Sequence, residues 1–151
     1  MGRGVSVKRG VKPLRPVYVL DEQIGFILRQ VSQRHAMIFS RDIGAELTPT
    51  QWAALAKLAE TGPCSQNQLG RLTAMDVATI KGVIDRLTAR GLTETSADPE
   101  DGRRLRVSLT RAGQQLAEKV ASNALAVTRE TLAPLDPRER EMLVTLLDRL
   151  R

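Results

Sequence analysis

The sequence predicts a mainly α fold (α+β class) that forms one structural domain and carries a single small β wing. Three observations support this class. Apolar residues repeat every three or four positions in several long segments, as they do in amphipathic helices. Only one segment, near residue 105, alternates apolar and polar residues with the period of a strand. Helix starts are marked by Thr, Ser or Asp, twice with proline next in the chain.

The first predicted helix covers residues 21–41. Apolar residues recur along it in steps of three and four, which places them on one face of an amphipathic helix. This stripe consists of Ile24, Leu28, Val31 and Ile38. His35 lies on the same stripe, so one titratable side chain is predicted among the apolar residues of this helix.

Two independent signals open the second predicted helix. Thr48 caps it and is expected to close a capping box with Gln51, while Pro49 suits the first helical turn. The helix continues through Trp52 and stops at Gly62, which is followed by proline.

A pair of short helices comes next. Ser65 and Gln68 have the spacing of a second capping box, and the first helix of the pair ends near Leu72. After a three-residue turn, Asp76 caps the second helix, which ends before Gly91. The residues of this second helix predicted to face inward are Ile80, Val83, Ile84 and Leu87.

A strand, a turn and a second strand follow the helix pair directly. The first strand is predicted from Leu92, and residues 98–102 (DPEDG) have the chemistry of a turn. In the second strand the alternation predicts one buried and one polar face. Its predicted inward residues are Leu105, Val107 and Leu109, and the polar ones are Arg104, Arg106 and Ser108.

Two further helices complete the chain. Thr110 caps a long helix that runs to about Leu132, and Asp136 begins a last helix. The apolar stripe of that last helix consists of Met142, Leu143, Leu146, Leu147 and Leu150. One small lobe is too small to cover the stripes of both terminal helices, which predicts pairing with a second chain. The alternative is a monomer in which these helices pack on each other.

The charges are distributed unevenly along the chain. The net charge is +6, but five of the 23 basic residues precede the first acid, Asp21: Arg3, Lys8, Arg9, Lys12 and Arg15. The remaining 18 basic and 17 acidic residues nearly balance, so overall basicity is not evidence for nucleic-acid binding. The basic start is interpreted as a flexible tail, which is a solvated leader, an arm along DNA phosphates or a clamp for an anionic ligand.

Composition excludes several functional classes. No apolar run approaches the ~20 residues of a membrane span, and a single cysteine is typical of a reducing, cytoplasmic protein. With one His, one Cys and dispersed carboxylates, no metal, cofactor or catalytic site is expected, and therefore no enzyme. Only four aromatic residues are present, and they do not alternate with basic ones as a platform for single-stranded nucleic acid requires.

Two short helices followed by a hairpin have the order of a winged helix-turn-helix, a unit that binds duplex DNA. In such a unit the second helix lies in the major groove. The outward residues expected to meet bases or phosphates are Thr79, Lys81, Gly82 and Arg86. Gly82 inside a helix costs ~1 kcal/mol relative to alanine. Either close approach to DNA or ordinary packing explains a glycine at this position.

The hairpin supplies the second predicted DNA contact. Arg103 at its turn is placed to enter a minor groove, while Arg104 and Arg106 are placed to meet phosphates. Asp101, or Asp85 on the preceding helix, is a candidate to hold one of these guanidinium groups. The alternative is a charged hairpin that contacts only solvent.

Five segments taken together resemble the MarR family of bacterial transcription regulators. They are residues 47–52 (LTPTQW), 69–72 (LGRL), 79–92 (TIKGVIDRLTARGL), 101–104 (DGRR) and 109–110 (LT). The resemblance extends over residues 21–151. It implies a homodimer held by the first and last helices, and two winged lobes on a pseudo-palindromic operator of double-stranded DNA. It also implies a small, often phenolic or aromatic-acid, ligand bound between the dimer region and the lobe.

The resemblance and the residue patterns divide the single domain into four segments. These are a basic tail (residues 1–18), an N-terminal dimerisation helix (19–46), the winged lobe (47–110) and C-terminal dimerisation helices (111–151). The expected function is that of a ligand-responsive transcription regulator acting as a repressor. The alternative is an architectural or partner-docking DNA-binding protein that has no small-molecule effector.

A narrower similarity comes from residues 26–29 (FILR) and 33–35 (QRH). It points to the branch of the family that responds to aromatic acids or their coenzyme A thioesters. The implied ligand residues are Phe26, Arg29, Arg34, His35 and Trp52. Each has an ordinary alternative: the histidine as a core residue bonded to backbone or carboxylate, the arginines as solvated charges, and the aromatic residues as core.

Cys64 is the one cysteine of the chain. It lies just before a predicted helix start, where a helix dipole lowers the pKa of a thiol. Relatives that sense oxidants through cysteine use positions nearer the N-terminus, so a redox role is not expected here.

Overall fold

A computed structural model describes residues 16–151, so the five basic residues of the tail lie outside the described part of the chain. Within that part the chain forms six α helices and one two-stranded antiparallel sheet, preceded by a 3-10 turn at Leu20–Glu22. The helices are α1 (Ile24–Asp42), α2 (Pro49–Thr61), α3 (Gln66–Leu72), α4 (Val77–Ala89), α5 (Arg111–Thr131) and α6 (Pro137–Asp148), and the strands are β1 (Thr93–Ala97) and β2 (Leu105–Leu109). The predicted mainly α class with a β wing is confirmed.

Side-chain caps fix where the helices begin. Thr48 accepts a hydrogen bond from the backbone N–H of Gln51, and the Gln51 side chain accepts one from the backbone N–H of Thr48. The predicted capping box of α2 is therefore complete. Ser65 also accepts from the backbone of Gln68 at 3.2 Å, but the Gln68 side chain does not return the bond. The prediction of a second complete box was wrong at α3.

The hydrophobic core lies where α2, α3 and α4 pack against β2 and α5. All four residues of α4 that were predicted to face inward are buried in it: Ile80, Val83, Ile84 and Leu87. The long helix α5 contributes Val120 and Val127 to the same core. Because α2 contacts both α4 and α5, it links the helix pair to the rest of the chain.

The terminal helices are covered only in part. The C-terminal half of α1 packs on α5 and buries Ile38 and Phe39. The other predicted stripe residues of α1 are exposed: Ile24, Leu28 and Val31. Helix α6 begins at its predicted cap, Asp136, and contains no buried residue. Within the described residues, α1 and α6 form no extensive contact with each other.

A close backbone contact joins the end of the helix pair to α5. The Thr110 hydroxyl donates to the carbonyl of Gly91 at 2.6 Å and accepts from the N–H of Gly113 at 3.1 Å. A Cβ at position 113 would lie 2.0 Å from the carbonyl oxygen of Leu92, so only glycine fits there. This contact fixes the angle between the winged lobe and α5. None of the helices within residues 16–151 is long and apolar enough to cross a membrane.

Candidate nucleic-acid interface and ligand site

Helix α4 presents the residues predicted to meet DNA on its exposed side. Thr79, Lys81 and Arg86 are exposed, while the opposite face is anchored in the core. Asp76 caps the helix by accepting a hydrogen bond from the Thr79 N–H at 2.7 Å. This bond holds the pKa of Asp76 below its usual range. The N-terminal turn of α4, which would meet base edges, is therefore fixed by an ionised cap.

Lys81 is paired with Asp85 one turn further along α4, with Nζ and Oδ2 separated by 2.8 Å. Of the two carboxylates that were candidates to hold a wing arginine, Asp85 pairs instead with Lys81 on the same face of α4. Both side chains are exposed, and ion pairs of this kind contribute little to stability. Lys81 can therefore exchange its carboxylate for a DNA phosphate at small cost.

Gly82 lies half-buried in the middle of the exposed side of α4. Among the described residues, a Cβ at this position would meet only the Arg86 guanidinium, 3.7 Å away, which is ordinary contact. Packing within the chain therefore does not require glycine here. Close approach of α4 to a DNA backbone stays a prediction for Gly82.

Asp101 organises the tip of the wing. Its side chain accepts from the N–H of Arg103 at 3.1 Å, and its carbonyl accepts from the N–H of Arg104 at 2.9 Å. The Arg104 guanidinium lies 3.5 Å from the same carboxylate, as predicted for one of these arginines. The side chains of Arg103 and Arg104 remain exposed, so the turn projects two cations from the end of the hairpin.

Arg106 differs from its neighbours because it turns toward the body of the lobe. Its guanidinium lies 3.8 Å from the Asp98 carboxylate and donates to the carbonyl of Pro63 at 3.4 Å. It therefore braces the wing against the segment that precedes α3. Leu105, predicted to face inward, is 62% exposed. The reason is its register: it pairs with Ala97 at the last rung before the turn, beyond the core.

Cys64 is buried beside the second strand. Its backbone exchanges hydrogen bonds with Val107 at 2.8 and 3.2 Å, which extends the hairpin by one bridge. Burial raises the pKa of the Cys64 thiol, and the positive charge of Arg106 opposes this only in part. A helix dipole can lower the pKa of a thiol in this position, but burial is the larger effect at Cys64.

Arg34, predicted to meet a ligand, is bonded to the end of α5. Its two terminal nitrogens donate to the carbonyls of Thr131 and Glu130 at 2.6 and 3.1 Å. The last carbonyls of a helix have no partner within the helix and carry partial negative charge, which suits a guanidinium. A ligand carboxylate would have to compete with these carbonyls for Arg34.

His35 meets the same end of α5 through the hydroxyl of Thr131, with Nδ1 and Oγ1 2.8 Å apart. That hydroxyl donates its single hydrogen to the carbonyl of Val127 at 2.8 Å. The Thr131 oxygen can then only accept from His35, so the hydrogen of this second bond lies on Nδ1 of the imidazole. Its partner is a hydroxyl, not the predicted backbone or carboxylate. The second ring nitrogen, Nε2, is left for a further partner.

The remaining ligand candidates lie apart from this pair. Phe26 and Arg29 line an open groove of about 450 Å³ at the start of α1, together with Tyr18 and Leu20. Trp52 is half-buried at the edge of the core, in the first turn of α2. The described residues therefore place the five candidates at three positions along α1 and α2, and not together in one groove.

Comparison with known proteins gives consistent matches. The MarR family model matches residues 47–105. The chain is 37% identical over 134 residues to the HTH-type transcriptional repressor NicR of Pseudomonas putida, covering 88% of this chain and 85% of that protein. A solved structure of a probable transcriptional regulator from Pseudomonas aeruginosa is 61% identical, with a TM-score of 0.86 over 88% of this chain and all of the other. A structure of BpsR from Bordetella bronchiseptica is 40% identical, with a TM-score of 0.85 over 89% and 97% of the two chains. That structure concerns the regulation of DNA binding by 6-hydroxynicotinic acid.

Proposed function

From the premise that this chain belongs to the MarR family of DNA-binding transcription regulators, and is not an enzyme, we propose that it is a homodimeric repressor. We propose further that a small aromatic acid releases it from a pseudo-palindromic operator. The single observation that carries the proposal is the exposed side of α4 beside the cationic tip of the wing, with both elements fixed to one core.

In the proposed complex, each protomer places α4 in the major groove. Thr79, Lys81 and Arg86 then meet bases and phosphates, and Gly82 allows the helix to sit close to the backbone. Arg103 enters the neighbouring minor groove and Arg104 meets a phosphate. Arg106 contributes by holding the wing in place, with its guanidinium toward Asp98.

The proposed dimer is formed by the exposed apolar residues of the terminal helices. Helix α6 and the first half of α1 carry these residues without cover from residues 16–151. Isologous pairing of two copies would bury them and set the distance between the two copies of α4. Half-sites one helical turn (~34 Å) apart would match that distance.

An aromatic acid suits the residue types of the five candidates on α1 and α2. Arg29 and Arg34 supply cations for a carboxylate, His35 offers Nε2 as a polar contact, and Phe26 and Trp52 offer apolar faces for the ring. The relative BpsR is regulated by 6-hydroxynicotinic acid, which is an acid of this class. That likeness favours a free aromatic acid over a coenzyme A thioester.

In the proposed mechanism, the ligand acts at the junction between the dimer helices and the winged lobe. A ligand carboxylate that binds Arg34 would break its hydrogen bonds to the carbonyls at the end of α5. The packing of α1 against α5 would change as a result. The distance between the two lobes then changes, so that the two copies of α4 can no longer bind their half-sites at the same time.

The test uses the full chain and fluorescently labelled DNA from immediately upstream of its own gene. 6-Hydroxynicotinic acid, hydroxybenzoic acids and benzoyl-coenzyme A are titrated separately into the complex while anisotropy is measured. Release by a free acid is the expected result, with His35→Gln weakening the response to the acid and leaving binding in its absence unchanged. Release by the thioester alone would overturn the choice of ligand class. Indifference to every compound would favour an architectural protein without an effector.

A further inference from the structure

The connection between α1 and α2 has an unusual backbone. Three consecutive residues are left-handed, with φ of 73° at Gly44, 55° at Ala45 and 52° at Glu46. This region is unfavourable for residues that carry a Cβ, and non-glycine residues stay there only where the surroundings hold them. Something outside the connection must therefore stabilise Ala45 and Glu46.

Two side chains from distant parts of the chain supply that support. The Arg90 guanidinium donates from Nη2 to the carbonyl of Ala45 at 2.8 Å and from Nη1 to that of Glu46 at 3.4 Å. On the other side, Nδ2 of Asn123 donates to the carbonyl of Ile43 at 3.1 Å. Arg90 is the residue that ends α4, and Asn123 lies within α5. The connection is thus bonded both to the candidate DNA-reading helix and to the long helix next to the dimer region.

We infer that Arg90 is a positioning residue: by holding the left-handed connection it couples the orientation of α4 to that of α1 and α5, without itself contacting DNA. Arg90 lies roughly 16 Å along the helix from Thr79, at the opposite end from the first base contact. Because α4 is one continuous helix, a shift of its C-terminal end at Arg90 would also move its N-terminal turn. This role deepens the proposed function, since movement of the dimer helices by a ligand is what the contact would transmit.

The guanidinium is suited to this task by its shape. Its planar fork bonds two successive carbonyls in one orientation, whereas the ammonium of lysine is a point charge that does not fix direction. Substitution of Arg90 by lysine therefore separates geometry from charge. A phosphate contact would survive Arg90→Lys, but the forked contact with Ala45 and Glu46 would not.

The first experiment measures operator affinity of the full chain against salt concentration for Arg90→Ala, Arg90→Lys and the benchmark Arg86→Ala. We expect both Arg90 variants to bind the operator roughly fivefold or more weakly with the wild-type salt slope. Arg86→Ala should lower the slope by about two per dimer, as the loss of one DNA-contacting cation per protomer predicts. If Arg90→Lys binds like wild type while Arg90→Ala lowers the slope, Arg90 is a DNA contact and the inference is wrong. Unchanged affinity in both Arg90 variants would also overturn it. Circular dichroism and thermal unfolding confirm that each variant is folded at the assay temperature.

The second experiment needs neither DNA nor ligand. The N–H of Leu47 donates to the carbonyl of Gly44 at 3.4 Å and reports on the connection. Hydrogen exchange of the free protein over residues 44–47 should be faster in Arg90→Ala than in wild type, and unchanged in Arg86→Ala. Wild-type exchange in Arg90→Ala would contradict the positioning role.

The third experiment links the contact to regulation. In the wild type, 6-hydroxynicotinic acid is expected to weaken operator binding, and in Arg90→Ala this effect should shrink by about fivefold or more. An undiminished effect in Arg90→Ala would contradict the coupling role. If the acid fails to release the wild type, it is the proposed effector that is wrong, and the salt slopes and the exchange rates still decide the role of Arg90.

Discussion

The winged lobe and the terminal helices carry the same kind of apolar stripe, but the stripe is buried in the lobe and largely exposed on the terminal helices. In the lobe, Leu55 and Leu87 are completely buried, with exposures of 0%. On α6, at a similar periodic spacing, Met142 is 59% exposed and Leu146 is 45% exposed. The lobe residues have their packing partners within the described part of the chain, and the α6 residues do not.

This difference shows what hydrophobic periodicity does and does not determine. The spacing of apolar residues predicts that a helix forms and which face it buries. It does not say whether the covering surface belongs to the same chain. The lobe is complete in one copy because six elements meet around its core, whereas α6 contacts no such group of elements within residues 16–151.

The largest effect is expected from a charge placed on the uncovered stripe. Leu146→Glu removes an apolar side chain from both copies and brings two carboxylates into the proposed interface. The dimerisation free energy should fall on the order of 5 kcal/mol, because burial of each leucine contributes about 1.5–3 kcal/mol. Operator affinity should be lost, while the circular dichroism of the lobe stays close to wild type.

Thr145→Glu is the matched control for this change, because it adds the same charge at the neighbouring exposed position of α6. It should keep most of the operator affinity, as measured by anisotropy. Equal affinity in Leu146→Glu and wild type would show that α6 takes no part in an interface.

A smaller but still severe effect is expected where the two regions join. In Gly113→Ala the new methyl group meets the backbone carbonyl of Leu92, which lies 2.0 Å from its ideal position. Backbone must then shift, and the free energy of unfolding should fall by about 3 kcal/mol or more. Urea denaturation measures this change. A wild-type unfolding midpoint would mean that α5 does not approach the lobe as closely as described.

Gly82→Ala is expected to stabilise the lobe, in contrast to Gly113→Ala. A methyl group has room there, and alanine is the better helix former, so the free energy of unfolding should rise by about 1 kcal/mol. Operator affinity should nevertheless fall, because the methyl group separates α4 from the DNA backbone. Higher stability combined with unchanged affinity would remove Gly82 from the proposed interface.

The smallest effect concerns the cap of α4. The pKa of Asp76 is lowered in the folded protein by the bond from the Thr79 backbone. A lowered carboxyl pKa adds stability above the ordinary value of 3.8, and this contribution is lost as the pH falls through the folded pKa. Asp76→Asn keeps an acceptor but does not titrate.

Melting temperatures of wild type and Asp76→Asn, measured from pH 7 down to pH 2.5, test whether the stability contributed by Asp76 is lost as the pH falls. Any advantage of the wild type at pH 7 should shrink only below about pH 4. An advantage that is independent of pH would show that the ionised form of Asp76 is not the one that caps α4.

The capping box of α2 and the turn of the wing were predicted correctly from local sequence, whereas the second box at α3 and the distant partners were not. The cap at Thr48 and the turn at Asp101 depend on neighbours a few residues away, so their pattern is visible in the chain. Arg34 and Arg90 instead bond to backbone carbonyls at least 44 residues away. Any residue type offers such a carbonyl, so no sequence pattern marks the partner.

The candidate ligand residues show the same limit. Their residue types suggested an aromatic acid, but the anchoring of His35 through Thr131 depends on where α5 ends relative to α1. Sequence reasoning missed Thr131 and Asn123 for this reason. Both lie on α5, and each contacts α1 or the residue that follows it.

The central claim is that the terminal helices hold two complete lobes together. Light scattering coupled to size-exclusion chromatography, on the full chain at the concentration used for operator binding, tests it most directly. The predicted result is a molar mass of twice the 16.6 kDa chain for the wild type and of one chain for Leu146→Glu. A wild-type mass of a single chain at that concentration would contradict the claim.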